Sequence, residues 1–201
     1  DINNDGFDDI VIGARSKNTN RGAAYVIYGG PKSSMSNWDF SSGATLNPST
    51  TGFTITGSAA YGNLGYSVSH AGDINKDGYD DIIIGAYKAN SYQGAAYVVY
   101  GGEKSSMQNI KLSTTTLNPV TTGFMVTGND ISSFLGRTVS VAGDINKDGY
   151  DDIIIGAPFQ GNFQGEIYVI YGRDKLMMSN MNLGTTALDP LTTGFTITGN
   201  A

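Results

Sequence analysis

Leu64-Gly65-Tyr66-Ser67-Val68-Ser69-His70-Ala71-Gly72 alternates apolar with small or polar side chains, the period-two pattern of a strand (A) with one covered face. An acidic, glycine-bearing stretch follows. It delivers Ile82-Ile83-Ile84-Gly85-Ala86, a short, continuously apolar and β-branched run of the kind expected of a strand (B) buried on both faces. After the Gly- and Asn-containing connection Tyr87–Gly94 comes Ala95-Ala96-Tyr97-Val98-Val99-Tyr100 (C), closed by Gly101-Gly102. A longer polar connection, Glu103–Thr122, carries Met107, Ile110 and Leu112 before Gly123-Phe124-Met125-Val126-Thr127-Gly128 (D). Four short strands joined by turns, with no helical period between them, describe a four-stranded antiparallel sheet.

The same order recurs along the chain. Asp1 to Asp73 is 72 residues, Asp73 to Asp144 is 71, and Phe53, Phe124 and Phe195 are each 71 apart. The units run over about 1–57, 58–128 and 129–201 of one domain segment. A β-solenoid coil is far shorter than 71 residues, so radial repetition is expected: an all-β, β-propeller segment of about three four-stranded antiparallel blades. The first copy lacks strand A, its innermost strand, and opens inside the acidic stretch. Spacing places an equivalent strand at residues 202–214, beyond the 201 given. Propellers close with about 4–8 blades. The reading is therefore a slice of a longer chain, or copies that assemble.

Composition fits a loop-rich β protein: Gly supplies 28 of 201 residues, Tyr 12, and charged residues 15%. The net charge of −6 argues against nucleic acid and anionic membrane as partners, which need clustered Lys and Arg. No apolar run approaches the roughly 20 residues of a membrane span, and cysteine is absent.

The acidic stretch is where charge becomes chemistry. Asp73-Ile74-Asn75-Lys76-Asp77-Gly78-Tyr79-Asp80-Asp81 recurs letter for letter at Asp144–Asp152 and nearly so at Asp1–Asp9. Oxygen-bearing side chains at positions 1, 3, 5 and 9, with Gly at 6, form the pattern of a loop curled around Ca²⁺, which takes six to eight oxygens at about 2.3–2.6 Å. The expected ligands are Asp73, Asn75, Asp77, Asp81 and the carbonyl of Tyr79. Their equivalents are Asp144, Asn146, Asp148, Asp152 and Tyr150, and Asp1, Asn3, Asp5, Asp9 and Phe7, giving about three ions, one per repeat. An EF-hand needs Glu at position 12, where Ile12, Ile84 and Ile155 stand. Mg²⁺ prefers a compact octahedron with its waters, and Zn²⁺ finds no Cys and one His. The plain alternative is three hairpin turns held by local Asp and Asn bonds.

His70 has Val141 as its counterpart and reads as a strand residue; with no Cys and no second His there is little for a nucleophilic triad to use, so no enzyme is expected. Asp8, Asp80 and Asp151, at loop position 8, are expected to cap their turns. Tyr28, Tyr100 and Tyr171 recur at the end of strand C and are expected to pack between blades. Tyr61 and Phe134 in the D-to-A connections, and Tyr92, Phe159 and Phe163 in the B-to-C connections, do not recur and share the face opposite the acidic loops.

Leu64-Gly65, the acidic loop and Gly85-Ala86, and likewise Leu135-Gly136 and Gly156-Ala157-Pro158, resemble the FG-GAP repeats of integrin α-subunit propellers and of many secreted proteins. Leu stands where the motif's name has Phe, and Tyr87 and Arg15 where it has Pro. The resemblance implies an extracellular, secreted or cell-surface adhesion scaffold whose five loop aromatics contact a protein or glycan ligand. Two other readings stay open: a structural module that completes a ring or filament with blades from its own chain or other copies, and a propeller appended to a secreted hydrolase.

Overall fold

The computed structural model describes residues 1–42, 44–58 and 60–200. Its strands form three sheets, one per sequence repeat. The first blade holds β1 (Ile10–Gly13), β2 (Ala23–Ile27) and β3 (Gly52–Thr56), paired antiparallel in that order. The second repeat builds its sheet from β4 (Ser67–Gly72), β5 (Asp81–Ala86), β6 (Ala95–Val99) and β8 (Gly123–Thr127), and its two-residue strand β7 (Ile110–Lys111) joins the sheet before it. The third repeats this with β9 (Thr138–Gly143), β10 (Asp152–Ala157), β11 (Glu166–Ile170), β12 (Met181–Asn182) and β13 (Gly194–Thr198). The antiparallel order A-B-C-D expected from the alternation is the order observed, with the first blade beginning at B.

The long C-to-D connections contain more structure than their polarity implies. β7 pairs parallel with β3 of the preceding blade, Ile55 opposite Ile110, and β12 does the same to β8, Val126 opposite Met181. Asn109 Oδ1 accepts from Thr54 N–H and Asn180 Oδ1 from Met125 N–H, each at 2.8 Å, covering the outer edge of the blade before. This is how an exposed edge strand is blunted. In the B-to-C connections, Lys17–Asn20 and Ala89–Tyr92 make single turns whose central residues, Asn18 and Thr19, and Asn90 and Ser91, are left-handed and so cannot propagate a helix.

Two cores lie between neighbouring blades. One joins Ile2, Val26, Phe53 and Leu64 to Ile82, Ile84 and Tyr97, and the other joins Ile74, Ile83, Val98 and Phe124 to Leu135, Ile153 and Ile155. Tyr28 and Tyr100 belong to these cores; each ring lies 6.3 Å from the Phe of its own strand D, and each hydroxyl donates to a proline carbonyl, Pro48 or Pro119, at 2.9 Å. Blade approach is set by glycine: a Cβ on Gly85 would lie 1.9 Å from the Gly136 carbonyl oxygen, so the Leu-Gly and Gly-Ala signatures meet across the interface where no side chain fits. Where no blade covers the sheet, the same residue types are open. Ile10 and Ile12 of β1 are 52% and 41% exposed, against 5% and 0% for their equivalents Ile82 and Ile84. On the third blade the seat that Leu64 and Leu135 fill beside Gly22 and Gly94 is a cavity of about 480 Å³ lined by Gly156, Gly165 and Ile197. Among the described residues no helix is long and apolar enough to cross a membrane.

Candidate metal centres and the opposite face

Each acidic loop leads into strand B, the second and third coming from the inner strands β4 and β9, and is wound by two left-handed positions, one foreseen and one not. Gly6, Gly78 and Gly149 have φ of 86°, 90° and 90°, and the residues two before them, Asn4, Lys76 and Lys147, have φ of 53°, 58° and 60°. The pair of reversals turns successive N–H groups inward. Asp73 receives two of them, Asp77 N–H on Oδ1 at 3.0 Å and Gly78 N–H on Oδ2 at 2.9 Å; Asp77 Oδ1 takes Tyr79 N–H at 3.3 Å. Asp1 and Asp5, and Asp144 and Asp148, repeat this, with Phe7 and Tyr150 as the last donors.

Position 9 has a second role that the spacing did not reveal. Asp81 Oδ2 accepts from Ile74 N–H at 3.1 Å and Oδ1 from Gly101 N–H at 2.9 Å, so one carboxylate ties the loop's start to the end of strand C twenty residues on. Asp9 bonds Ile2 and Gly29 in the same way, and Asp152 bonds Ile145 and Gly172. Asp81 is fully buried, and burial drives its carboxyl well above the usual range, with the charges of Asp77 and Asp73 adding to the rise while the two N–H bonds oppose it. Burial likewise raises Asp9, Asp77 and Asp152.

Among the described residues no three acidic or histidine side chains are gathered as metal ligands, because the carboxylates are turned to backbone N–H groups. The amides tell a different story. Asn3 and Asn75 are 6% and 5% exposed, their Nδ2 groups donate to Asp9 and Asp81, and their Oδ1 atoms are buried with no donor. A buried amide oxygen without a donor is costly, and a cation in the loop is the partner that would satisfy it. With the crowded carboxyls, the first two loops fit a hard divalent cation held by oxygens. The third differs: Asn146 is exposed, its Oδ1 accepts from Asp148 N–H and its Nδ2 donates to Asp148 Oδ2.

Asp80 and Asp151, at position 8, reach beyond their own turns. Asp151 Oδ2 accepts from Asp73 N–H at 3.0 Å, and Asp80 Oδ2 from the Asp1 nitrogen at 2.8 Å, each reaching the first residue of the preceding blade's loop. Arg173 N–H donates to the Ile74 carbonyl and Gly102 N–H to that of Ile2, so the loops are chained. A Cβ on Gly72 would lie 2.1 Å from Asp151 Oδ2, which keeps that position glycine. His70 stands in β4 opposite Ile82, a strand position as expected.

On the opposite face four of the five loop aromatics converge. Phe134 lies 5.6 Å from Tyr92 and 5.1 Å from Phe159, both edge-on, and Phe159 lies 5.7 Å from Phe163. Tyr61 stands apart, 60% exposed. The chain also brings in Tyr87, 5.7 Å from Phe134, and through it Tyr66. Tyr87 was legible only as a departure, standing where Arg15 and Pro158 stand in the other copies, and Tyr66 only as a residue of strand A. Tyr61, Tyr92, Phe134 and Phe163 have φ between 54° and 70°, a region that bulky side chains rarely enter.

Residues 1–27, 64–99 and 135–170 match the FG-GAP repeat family. The chain is 29% identical over 178 residues to "Integrin alpha pat-2" of Caenorhabditis elegans, covering 81% of this chain and 13% of that protein. It is 30% identical over 165 residues to "Integrin alpha-8" of Homo sapiens, with 78% and 14% covered. It is 34% identical over 113 residues to "Integrin alpha-6" of Gallus gallus, with 55% and 9% covered. The chain thus spans about a seventh or less of the length of these relatives.

Proposed function

This chain is an FG-GAP repeat protein similar to integrin alpha subunits, and from that premise we propose that it is a calcium-stabilised, non-enzymatic propeller segment presenting a ligand-binding face outside the cell. The observation that carries the calcium reading is the pair of donorless amide oxygens, Asn3 Oδ1 and Asn75 Oδ1, each held among acids. Asp1, Asn3, Asp5, Asp9 and the Phe7 carbonyl would hold one ion; Asp73, Asn75, Asp77, Asp81 and the Tyr79 carbonyl a second; and Asp144, Asn146, Asp148, Asp152 and the Tyr150 carbonyl a third, once Asn146 turns inward. Bound Ca²⁺ supplies charge neutralisation that the loops lack. Extracellular Ca²⁺-binding modules work at about 10⁻⁴–10⁻³ M, the range a cell-surface location provides.

Phe134, Tyr92, Phe159 and Phe163, brought together at the far ends of the strands, supply the contact surface for a protein or glycan ligand. Acids committed to backbone N–H groups and a histidine opposite Ile82 support a scaffold in place of a reaction centre. The open seat on the third blade and the bare β1 support further blades from the same chain or other copies as neighbours. Thermal melting tests the reading. If each loop is tenfold saturated, chelation should lower Tm by about 10 °C, and Ca²⁺ should restore it better than equal Mg²⁺. An unchanged Tm would remove calcium from the account.

A further inference from the structure

The aromatic face is charged opposite to the rest of the molecule. Its segments, 14–22, 57–66, 87–94, 128–137 and 158–166, hold Arg15, Lys17, Arg21, Lys88 and Arg137 against Asp130 and Glu166, in a chain whose net charge is −6. Both acids are engaged, Asp130 by Gln160 Nε2 at 2.6 Å and Glu166 by the Tyr168 hydroxyl. Arg15, Lys88 and Arg137 are different. Among the described residues none has a carboxylate within ion-pair distance, and the two ion pairs present lie at the acidic loops. Their partners are rings. Arg15 sits 5.2 Å over Tyr66, Lys88 5.4 Å over Tyr87 and 5.9 Å over Tyr92, and Arg137 5.9 Å over Tyr87 and 5.5 Å over Phe159.

A guanidinium resting on a ring spends its flat surface and keeps its in-plane N–H donors for a planar acceptor. Because the rings already carry cations, an incoming cation meets repulsion and an incoming carboxylate meets unpaired donors whose side chains packing has already positioned. Between the cations, Phe163 and Tyr92 are 80% and 45% exposed and offer apolar contact. Apolar surface interleaved with carboxylate receptors suits amino-acid side chains better than a uniformly polar sugar chain.

We propose that this face recognises an acidic peptide segment of a protein partner, with carboxylates seated on Arg15, Lys88 and Arg137. The inference rests on the reading of this face as the ligand surface, and it adds the charge of the ligand.

The test uses the whole calcium-loaded chain and three labelled peptides of equal length in which Glu, Gln or Lys alternates with Tyr and Leu, with a sulfated polysaccharide as competitor. Anisotropy gives affinity, and hydrogen exchange locates binding. The Glu peptide should bind, weaken with salt, and protect 87–94, 128–137 and 158–165. The double substitution Lys88→Gln and Arg137→Gln should weaken it about tenfold, while Lys32→Gln in the exposed first C-to-D connection should change nothing. Arg15→Gln alone is the milder variant should the double one lose its native circular dichroism. Equal binding of the Gln or Lys peptide at these segments would overturn the acidic preference while leaving the face as a ligand surface. Failure of every peptide to protect it would remove both readings. Preferential capture of the polysaccharide, or an affinity indifferent to the substitutions, would overturn the proposal.

Discussion

At Asp81 a single side chain has an observed structural job, and the proposed calcium site would give it a second whose requirements conflict with the first. It belongs to a set of oxygens suited to a cation, and it accepts the Ile74 and Gly101 N–H groups that fasten the loop to strand C. Asp81→Ala should therefore destabilise even the chelated protein, by about 2–4 kcal/mol, because both amides lose their acceptor; a denaturant midpoint unmoved in chelator would contradict this. The raised carboxyls carry a pH signature. Asp9, Asp77, Asp81 and Asp152 bind protons more readily folded than unfolded, since burial raises each of them. In chelator, stability contributed by these groups should grow as pH falls from 7 through their folded-state values, and vanish again as pH rises; with Ca²⁺ present, protons compete with the ion and the trend should reverse. Melting against pH, with and without chelator, checks the crossing. The sharp turn of each loop was legible at this scale because Gly6, Gly78 and Gly149 mark a left-handed position that glycine enters without steric cost. The left-handed Lys76, the second role of position 9 and the reach of Asp151 were not, because each depends on a neighbour supplied by another strand or another blade.

Among the elements, the four-strand order was legible because alternation, β-branching and Gly punctuation all report the local surroundings of a residue. The paired strands β7 and β12 were hidden, since two residues cannot show a period and their partners lie in the preceding repeat, Ile55 for Ile110 and Val126 for Met181. Two glycines separate local from tertiary demands. Gly78 has φ of 90° and open space around its missing Cβ, so Gly78→Ala should cost only the left-handed backbone, about 1–2 kcal/mol. Gly85→Ala places a methyl 1.9 Å from the Gly136 carbonyl oxygen and should cost more, about 3 kcal/mol or above, by forcing two blades apart. Equal losses in denaturant titrations would contradict glycine-limited blade contact. Asp151→Asn keeps the shape of the inter-blade bond and removes its charge, and should raise hydrogen exchange at the Asp73 amide while leaving β10 protected.

The molecule as a whole is polarised, with acidic loops at one end of the strands and ring-supported cations at the other. The sequence pattern foretold which connections share each end, because antiparallel order alone decides that. It did not foretell that Phe134 would be the hub of the aromatic group, or that Tyr66 and Tyr87 would join it, since these contacts arise from how neighbouring blades meet. Blade contact also links the acidic loops into one chain through Asp80 and Asp151, so an ion held in one loop would bear on the next. The central claim is that these loops are calcium clasps and not merely turns closed by local bonds. Anomalous diffraction from crystals grown in millimolar Ca²⁺ tests it most directly. The account predicts a peak about 2.3–2.6 Å from Asn75 Oδ1 and another beside Asn3 Oδ1. An electron-density map with a hydrogen-bonded water at both atoms and no anomalous signal would contradict it.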